Sequence, residues 1–341
     1  MRFFEQQRQA RAQTARLLLL FTAMVVLVVL AVNAALALTW RIIAWHDAAY
    51  PDYFFQINTG VTLLFILGGW WIESSNLAGG GEQLARRVGA RPAKLPGPLS
   101  RMGSGDAEQK FCNIVGELAI AASMKAPTPM VLDRVDSINA FACGWTPADA
   151  VVAVTQGALD RLTRDELQGL VAHELSHIRE GDMQLNMRLA GMVSGLEMIF
   201  NLGRTMCERD GDGRLSLLAL PGFAIQGCGS VGWLAGRVLL AAVSRQREFL
   251  ADARAVQFTR SKDGLGGVLR KVLGQQGGET GDGKISVLHP SVQHMLLVDD
   301  HLNAGWLASH PPLAERIVRI YGRPMSALTA DDSQPSRDTI F

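Results

Sequence analysis

The sequence predicts a mainly α-helical protein with a small β-sheet, in which transmembrane helices are attached to an α+β domain. Charged residues make up 19% of the 341-residue chain and hydrophobic residues 48%, whereas soluble domains average about 25% charged residues. The apolar excess lies largely in long runs without charge near the start of the chain. Short apolar runs at 130–132 and 151–154 are typical of strands.

The first two apolar runs predict a transmembrane hairpin at 17–72, preceded by an N-terminal tail at 1–16. Residues 17–38 carry no charge and, at about 1.5 Å per residue, are long enough to cross a ~30 Å hydrocarbon layer. Residues 54–72 are also uncharged, and aromatic residues flank both ends as in interfacial belts. The alternative for the first run is a cleaved signal peptide, because arginines precede it and Ala-Leu-Ala at 35–37 resembles a cleavage site.

The basic residues predict the orientation of this hairpin. Arginines and lysines cluster before the first run and after the second, and Arg41 lies between the two runs. Such an asymmetry places both flanks in the cytoplasm. The Gly/Pro-rich range 73–107 is predicted to be a linker, 108–329 a cytoplasmic domain, and 330–341 a disordered tail.

A second apolar hairpin is predicted at 189–243, inside this domain. Its segments, 189–203 and 215–236, are interrupted by Glu197 and Pro221 respectively. They fit either two further membrane spans or a buried helical hairpin, so the sequence allows two or four spans in total.

The motif that carries chemistry is His-Glu-x-x-His at 173–177. His173 and His177 are four residues apart and therefore lie one turn apart on the same face of a helix, where two imidazoles can bind one zinc ion. Glu174 lies beside them, positioned to take a proton from water at the metal. Thr163 and Glu166 form a capping box that predicts the start of this helix.

A catalytic zinc site requires a third protein ligand. Glu180 and Met183 stand where metzincins have Gly and His, which excludes that subclass. Glu248 is the better candidate, because it shares a helix face with Asp252, which could orient a ligand histidine. The alternative is a solvated charged face formed with the neighbouring arginines.

Four separated motifs resemble the HtpX-type membrane zinc metallopeptidases, relatives of the CAAX prenyl endopeptidases. Besides the motif at 173–177 and the Glu-Asp pair at 248–252, Asn-Ala-Phe-Ala followed by Gly occupies 139–144, and Ser-His-Pro-Pro followed by Arg316 occupies 309–316. All four are in the family's order. Arg316 by itself is expected only to pair with a carboxylate.

The resemblance implies a zincin-like α+β protease domain with one Zn²⁺ per chain. It implies the following site residues: His173, His177 and Glu248 as zinc ligands, Glu174 as general base, Asp252 as the carboxylate that orients a ligand histidine, and Asn139 and His310 as groups that face the substrate or the oxyanion. A peptidase needs hydrogen-bond donors where the oxyanion develops, which an amide or an imidazolium can supply. Taken separately, Asn139 also fits a turn and His310 a helix entry.

The sequence therefore predicts an integral membrane zinc endopeptidase, and the resemblance implies quality control of membrane or misfolded proteins in a bacterial inner membrane. The expected partners are polypeptide substrates and the lipid bilayer. Nucleic acid is not expected, because a net charge of +1 supplies no broad basic surface. The alternatives are a catalytically inactive scaffold with a peptidase fold, a protease for prenylated peptides, and a transporter component, which would leave the His-Glu-x-x-His motif unexplained.

Overall fold

The computed structural model confirms a helix-rich fold with a small mixed sheet. It describes residues 2–44, 49–77, 79–94, 105–209, 218–277, 297, 308 and 310–329. The chain divides into two compact units. Unit 1 consists of Met1–Leu77 and Met187–Leu240, and unit 2 consists of Ala78–Asn186 and Ala241–Phe341.

The helices are numbered in chain order. They are α1 (Arg2–Ile43), α2 (Phe54–Leu77), α3 (Gly80–Arg87), α4 (Gly105–Ala121), α5 (Gln156–Arg161), α6 (Arg164–Glu180), α7 (Asp182–Met206), α8 (Ala219–Thr259), α9 (Lys262–Gly277) and α10 (Leu313–Tyr321). Four strands belong to unit 2: β1 (Arg91–Pro92), β2 (Thr128–Leu132), β3 (Ala140–Cys143) and β4 (Val151–Thr155).

Unit 1 contains two helices, and the first part of a third, that are long and apolar enough to cross a membrane. Among the described residues these candidates are Leu19–Ile43, Phe54–Ser75 and Ala219–Thr259, and α7 is not one of them. Large apolar side chains such as Leu27, Leu64 and Trp71 are exposed. Surfaces of this kind suit lipid rather than water.

Glycines allow the helices of unit 1 to approach one another closely. A Cβ at Gly195 in α7 would collide with the carbonyl oxygen of Ile66 in α2, and a Cβ at Gly229 in α8 would collide with the backbone of Phe200 in α7. Small residues at such crossings are typical of helices packed within membranes. Helices α7 and α8 contain residues 189–203 and 219–236 of the predicted hairpin at 189–243.

Helix α8 is longer than a bilayer requires. Its 41 residues extend for about 60 Å, roughly twice the thickness of the hydrocarbon layer. The residues up to Leu240 belong to unit 1 and those from Ala241 onwards to unit 2. The second part is therefore available to carry polar side chains into the folded domain.

The range 73–107, predicted to be a linker, contains helix α3 and strand β1. Strand β1 pairs with β2, where Arg91 lies opposite Val131. The predicted tail at 330–341 lies outside the described residues.

The sheet of unit 2 has the order β1-β2-β4-β3. Strands β2 and β4 are parallel, and β3 is antiparallel to β4, with Ala140 opposite Val154. The runs predicted as strands at 130–132 and 151–154 fall in β2 and β4, whose valines suit a pleated, buried surface. Strand β3 lies at one edge of the sheet, and all its residues are buried.

Helix α6 lies in the main core of unit 2. Its residues Leu170 and Leu175 are fully buried together with Phe111 of α4 and Val268 of α9. The predicted capping box is present, because the Thr163 hydroxyl accepts a hydrogen bond from the Glu166 backbone N–H and the Glu166 carboxylate accepts one from the Thr163 backbone N–H. This centrally packed, capped helix carries the His-Glu-x-x-His motif.

Candidate metal centre

Helix α6 holds two histidine side chains against each other inside unit 2. The rings of His173 and His177 meet edge to face with their centroids 4.8 Å apart, and their Nε2 atoms are 3.2 Å apart. His173 is only 1% exposed. The spacing of four residues thus produces the convergence expected from the sequence.

Helix α8 brings Glu248 to the same point. Its Oε1 atom lies 3.2 Å from Nε2 of His177, and its Oε2 atom lies 3.6 Å from Nε2 of His173. One ligand atom from each of these three residues lies within 4.8 Å of the others. The three residues predicted as metal ligands are therefore grouped in the structure.

On each histidine ring, the Nδ1 atom, which lies across the ring from the shared Nε2 position, has a carboxylate next to it. Oδ1 of Asp252 is 3.0 Å from Nδ1 of His173, and Oδ2 of Asp182 is 2.9 Å from Nδ1 of His177. Each carboxylate favours a proton on Nδ1, which leaves a lone pair on Nε2. Two lone pairs then face each other beside a carboxylate, an arrangement that fits a cation better than a hydrogen bond.

Glu174 is buried beside the two histidines on α6, with 2% exposure. Burial raises the pKa of its carboxyl group, while the charges of His173 and His177 oppose that shift. A carboxylate with a raised pKa is a better proton acceptor for water than an exposed one.

His310 also reaches the centre, from the segment before α10. Its Nδ1 atom lies 3.1 Å from Oε2 of Glu248, and the residue is 8% exposed. Asn139 lies immediately before β3, where its side-chain oxygen accepts hydrogen bonds from the backbone N–H groups of Ala140 and Leu297. The structure thus places His310 against a predicted ligand and Asn139 at the start of the edge strand.

Arg316 of α10 completes the buried charge cluster. Its guanidinium donates two hydrogen bonds to Asp252, at 2.9 and 2.7 Å, and lies 3.2 Å from Glu248. The expectation that Arg316 pairs with a carboxylate is confirmed.

Asp182 is the site residue that the sequence analysis missed. It directly follows Gly181, which ends α6 in the left-handed conformation with φ 76°. The signal that could have found it is this Gly-Asp pair just after the motif helix, because a left-handed glycine turns the chain back towards the last helical turn.

Comparisons with known proteins agree with this geometry. The model of Peptidase family M48 matches residues 107–323. A protein named "Protease HtpX homolog" from Ligilactobacillus salivarius is 34% identical over 221 residues, which covers 61% of this chain and 71% of that protein. A protein with the same name from Streptococcus gordonii is 34% identical over 224 residues, with the same two shares.

Solved structures were also matched, among them the crystal structure of S. mikatae Ste24p. The TM-score is 0.40 and the sequence identity 14%, and the match covers 84% of this chain and 61% of that chain. The low score gives this likeness no weight, so the assignment to a family rests on the sequence matches.

Proposed function

The chain belongs to peptidase family M48, and from this premise we propose that it is an integral membrane, zinc-dependent endopeptidase that hydrolyses peptide bonds of membrane or misfolded proteins. Its relatives and its candidate spans make it a membrane metalloprotease of the HtpX-like type. The observation that carries the finer proposal is the convergence of His173, His177 and Glu248 beside Glu174.

The donor set favours zinc among the metals available to proteins. Two imidazole nitrogens and one carboxylate oxygen, with a position left for water, are typical of catalytic zinc sites. When bound, zinc supplies a Lewis acid that lowers the pKa of water and polarises a carbonyl oxygen. His173, His177 and Glu248 would hold the ion.

Glu174 is the proposed general base and acid. It takes a proton from the attacking water and returns it to the leaving amine once the peptide bond breaks. Its buried position on α6, directly after His173, supports this role, because a general base must lie close to the water whose proton it takes.

The remaining residues of the site are proposed to position a metal ligand or to stabilise charge that develops on the substrate. Asp252 keeps the proton of His173 on Nδ1, which directs the Nε2 lone pair to the metal. His310 and Asn139 are proposed to face the substrate and the developing oxyanion, as the family resemblance implies. The position of His310 against Glu248 supports this assignment.

The proposed location is a bacterial inner membrane with the N-terminus and unit 2 in the cytoplasm. The basic residues before the first apolar run at 17–38 and after the second at 54–72 support this orientation. Polypeptide substrates follow from the protease family, and the candidate spans favour substrates that lie in or near the bilayer. The proposed biological role is protein quality control.

The test is proteolysis of an unfolded model substrate by the full chain in detergent, run beside Glu174→Gln. We expect the wild type to cleave and the variant to be at least about 10²-fold slower, while both bind one zinc ion per chain. A metal chelator should abolish cleavage, and added zinc should restore it.

Two outcomes would contradict the proposal. Equal cleavage by wild type and Glu174→Gln would show that the observed cleavage does not depend on Glu174, which removes its proposed role as general base and points to a contaminating protease. Zinc binding without cleavage by either protein would favour an inactive scaffold that has kept the peptidase fold.

A further inference from the structure

Asp182 is a buried carboxylate that contacts a proposed metal ligand without being one. It is 3% exposed, and its Oδ2 atom lies 2.9 Å from Nδ1 of His177. That nitrogen is on the side of the ring opposite Glu248, whose Oε1 atom lies 3.2 Å from Nε2. Asp182 is therefore placed to act on the metal only through the imidazole.

The backbone delivers Asp182 to this position through Gly181. This glycine caps α6 with φ 76° and ψ 21°, and its N–H points back to the carbonyl oxygens of His177 and Ile178. The chain then starts α7 at Asp182, only five residues after His177. A side chain at the first position of α7 can thus reach the last turn of α6.

The other oxygen of Asp182 is paired with Arg247 of α8. The side chain of Arg247 is 19% exposed, and Arg247 immediately precedes Glu248 in the sequence. The same turn of α8 therefore supplies a proposed ligand and the cation that anchors Asp182. A guanidinium fixes a carboxylate more tightly than a neutral donor does.

The two histidines are thus supported in the same way. His173 contacts Asp252, which is held by Arg316, and His177 contacts Asp182, which is held by Arg247. The family resemblance pointed to Asp252 only. The second chain of contacts is a property of this structure that the sequence motifs did not indicate.

We propose that Asp182 is a positioning residue for the metal centre: it accepts the Nδ1 proton of His177, fixes the ring and makes Nε2 the ligand atom, while Arg247 fixes Asp182. This inference rests on the proposed function. It predicts that Asp182 acts on metal affinity, and the competing explanation is that the pair merely ties α7 to α8.

The chain offers a matched control for that competing explanation. Glu180, two residues before Asp182, pairs with Arg254 of α8 at 2.9 Å, and both side chains are 23% exposed. Glu180→Gln removes a carboxylate–arginine pair between the end of α6 and α8. Asp182→Asn removes a pair between the start of α7 and α8 whose carboxylate also contacts a histidine. Neither change alters side-chain size appreciably.

The experiment measures the zinc dissociation constant of full-length, chelator-stripped protein in detergent by competition with a chromophoric chelator. We expect Asp182→Asn to raise the constant by about 10- to 100-fold and Glu180→Gln to leave it nearly unchanged. We expect zinc-free Asp182→Asn to have the lower thermal midpoint, because the change leaves the largely buried Arg247 without this carboxylate. Zinc binding is therefore compared at a temperature well below the midpoints of both variants.

The inference is overturned if, at that temperature, Asp182→Asn binds zinc as tightly as Glu180→Gln. If Asp182→Asn does not fold, Arg247→Gln decides in the same assay: weaker zinc binding supports the inference and unchanged binding overturns it. If the wild type binds zinc and cleaves substrate while Asp182→Asn binds zinc equally well, only this inference is wrong. If the wild type binds no zinc, the proposed function is wrong as well.

Discussion

Arg316 is a fully buried cation whose partners are two buried carboxylates, Asp252 and Glu248. Arg316→Met would leave both carboxylates without this partner, which typically costs about 3–5 kcal/mol of stability. We therefore expect a clear fall in the thermal midpoint of the detergent-solubilised, zinc-free protein.

The control for this prediction is Arg164→Met. Arg164 pairs with Glu117 at 3.0 Å, with side chains 60% and 52% exposed, and exposed pairs of this kind contribute about 0–1 kcal/mol. Equal thermal midpoints for the two variants would show that Arg316 contributes no more to stability than a surface residue.

The positions of some residues in the site could be predicted from the sequence, and those of others could not. His173 and His177 could be predicted because helical periodicity alone places them together. Glu248 could be predicted to pair with Asp252 on a helix face, and its 4% exposure excludes the alternative of a solvated face. The position of Asp182 depends on a left-handed turn and a partner on a distant helix, which no local spacing encodes.

At the scale of elements, Glu108 links helix α4 to strand β1. Its carboxylate accepts hydrogen bonds from the Arg91 guanidinium at 2.9 and 2.7 Å and from the backbone N–H of Lys94. The bonds from Arg91 outweigh the effect of burial and hold the pKa of Glu108 below its ordinary value. This end of the sheet is therefore held by a carboxylate that favours its ionised form in the folded protein.

The pH dependence follows from the direction of that shift. The unfolded chain takes up a proton on Glu108 more readily than the folded chain, so the contribution of Glu108 to stability is complete above the unfolded pKa, about 4.3. It is lost as the pH falls through the lower, folded pKa. We expect Glu108→Gln to weaken the fall of the thermal midpoint with acidification below about pH 4.3.

The control for the pH series is Glu117→Gln, because Glu117 is an exposed carboxylate on the same helix. If Glu108→Gln and the wild type lose stability in parallel down to acid pH, Glu108 does not contribute to acid sensitivity.

Elements with strong local signals could be predicted, and those that depend on pairing could not. Helix α6 has both a capping box and an apolar face. Strand β1 has two residues, one of which is Pro92, so it shows no alternation, and only its pairing with β2 defines it. The Gly/Pro content around α3 and β1 therefore indicated a linker where the structure has a helix and an edge strand.

For the whole molecule, the proposed orientation makes a direct prediction about accessibility. Asp52, between α1 and α2, and Arg134, between β2 and β3, are both exposed. In a chain whose native cysteines are replaced, a membrane-impermeant maleimide added to intact cells should label Asp52→Cys and leave Arg134→Cys unlabelled until the membrane is permeabilised.

The opposite labelling pattern would show that the protein has the reverse orientation in the membrane. Retained proteolysis by both cysteine variants is the control that the labelled proteins are folded.

Hydropathy predicts the number of membrane spans less well than it predicts the other features of the whole molecule. Helix α8 meets the criteria for a candidate span, yet it continues into unit 2 for many residues beyond its apolar part. Helix α7 carries Glu197 within its apolar stretch, which lowers its hydropathy. Whether α7 crosses the bilayer depends on how its polar residues are paired, and this is not a local property of the sequence.

The contact between Arg316 and the carboxylates of α8 also has a consequence for biosynthesis. His173 leaves the ribosome long before Arg316, and at about 5–20 residues per second the interval is on the order of ten seconds. Glu248 and Asp252 are synthesised about halfway through that interval, and they remain without the guanidinium of Arg316 until its end. The buried charge cluster of the site is therefore completed by a residue that is synthesised after all the proposed metal ligands, so we expect the site to form only after α10 has left the ribosome.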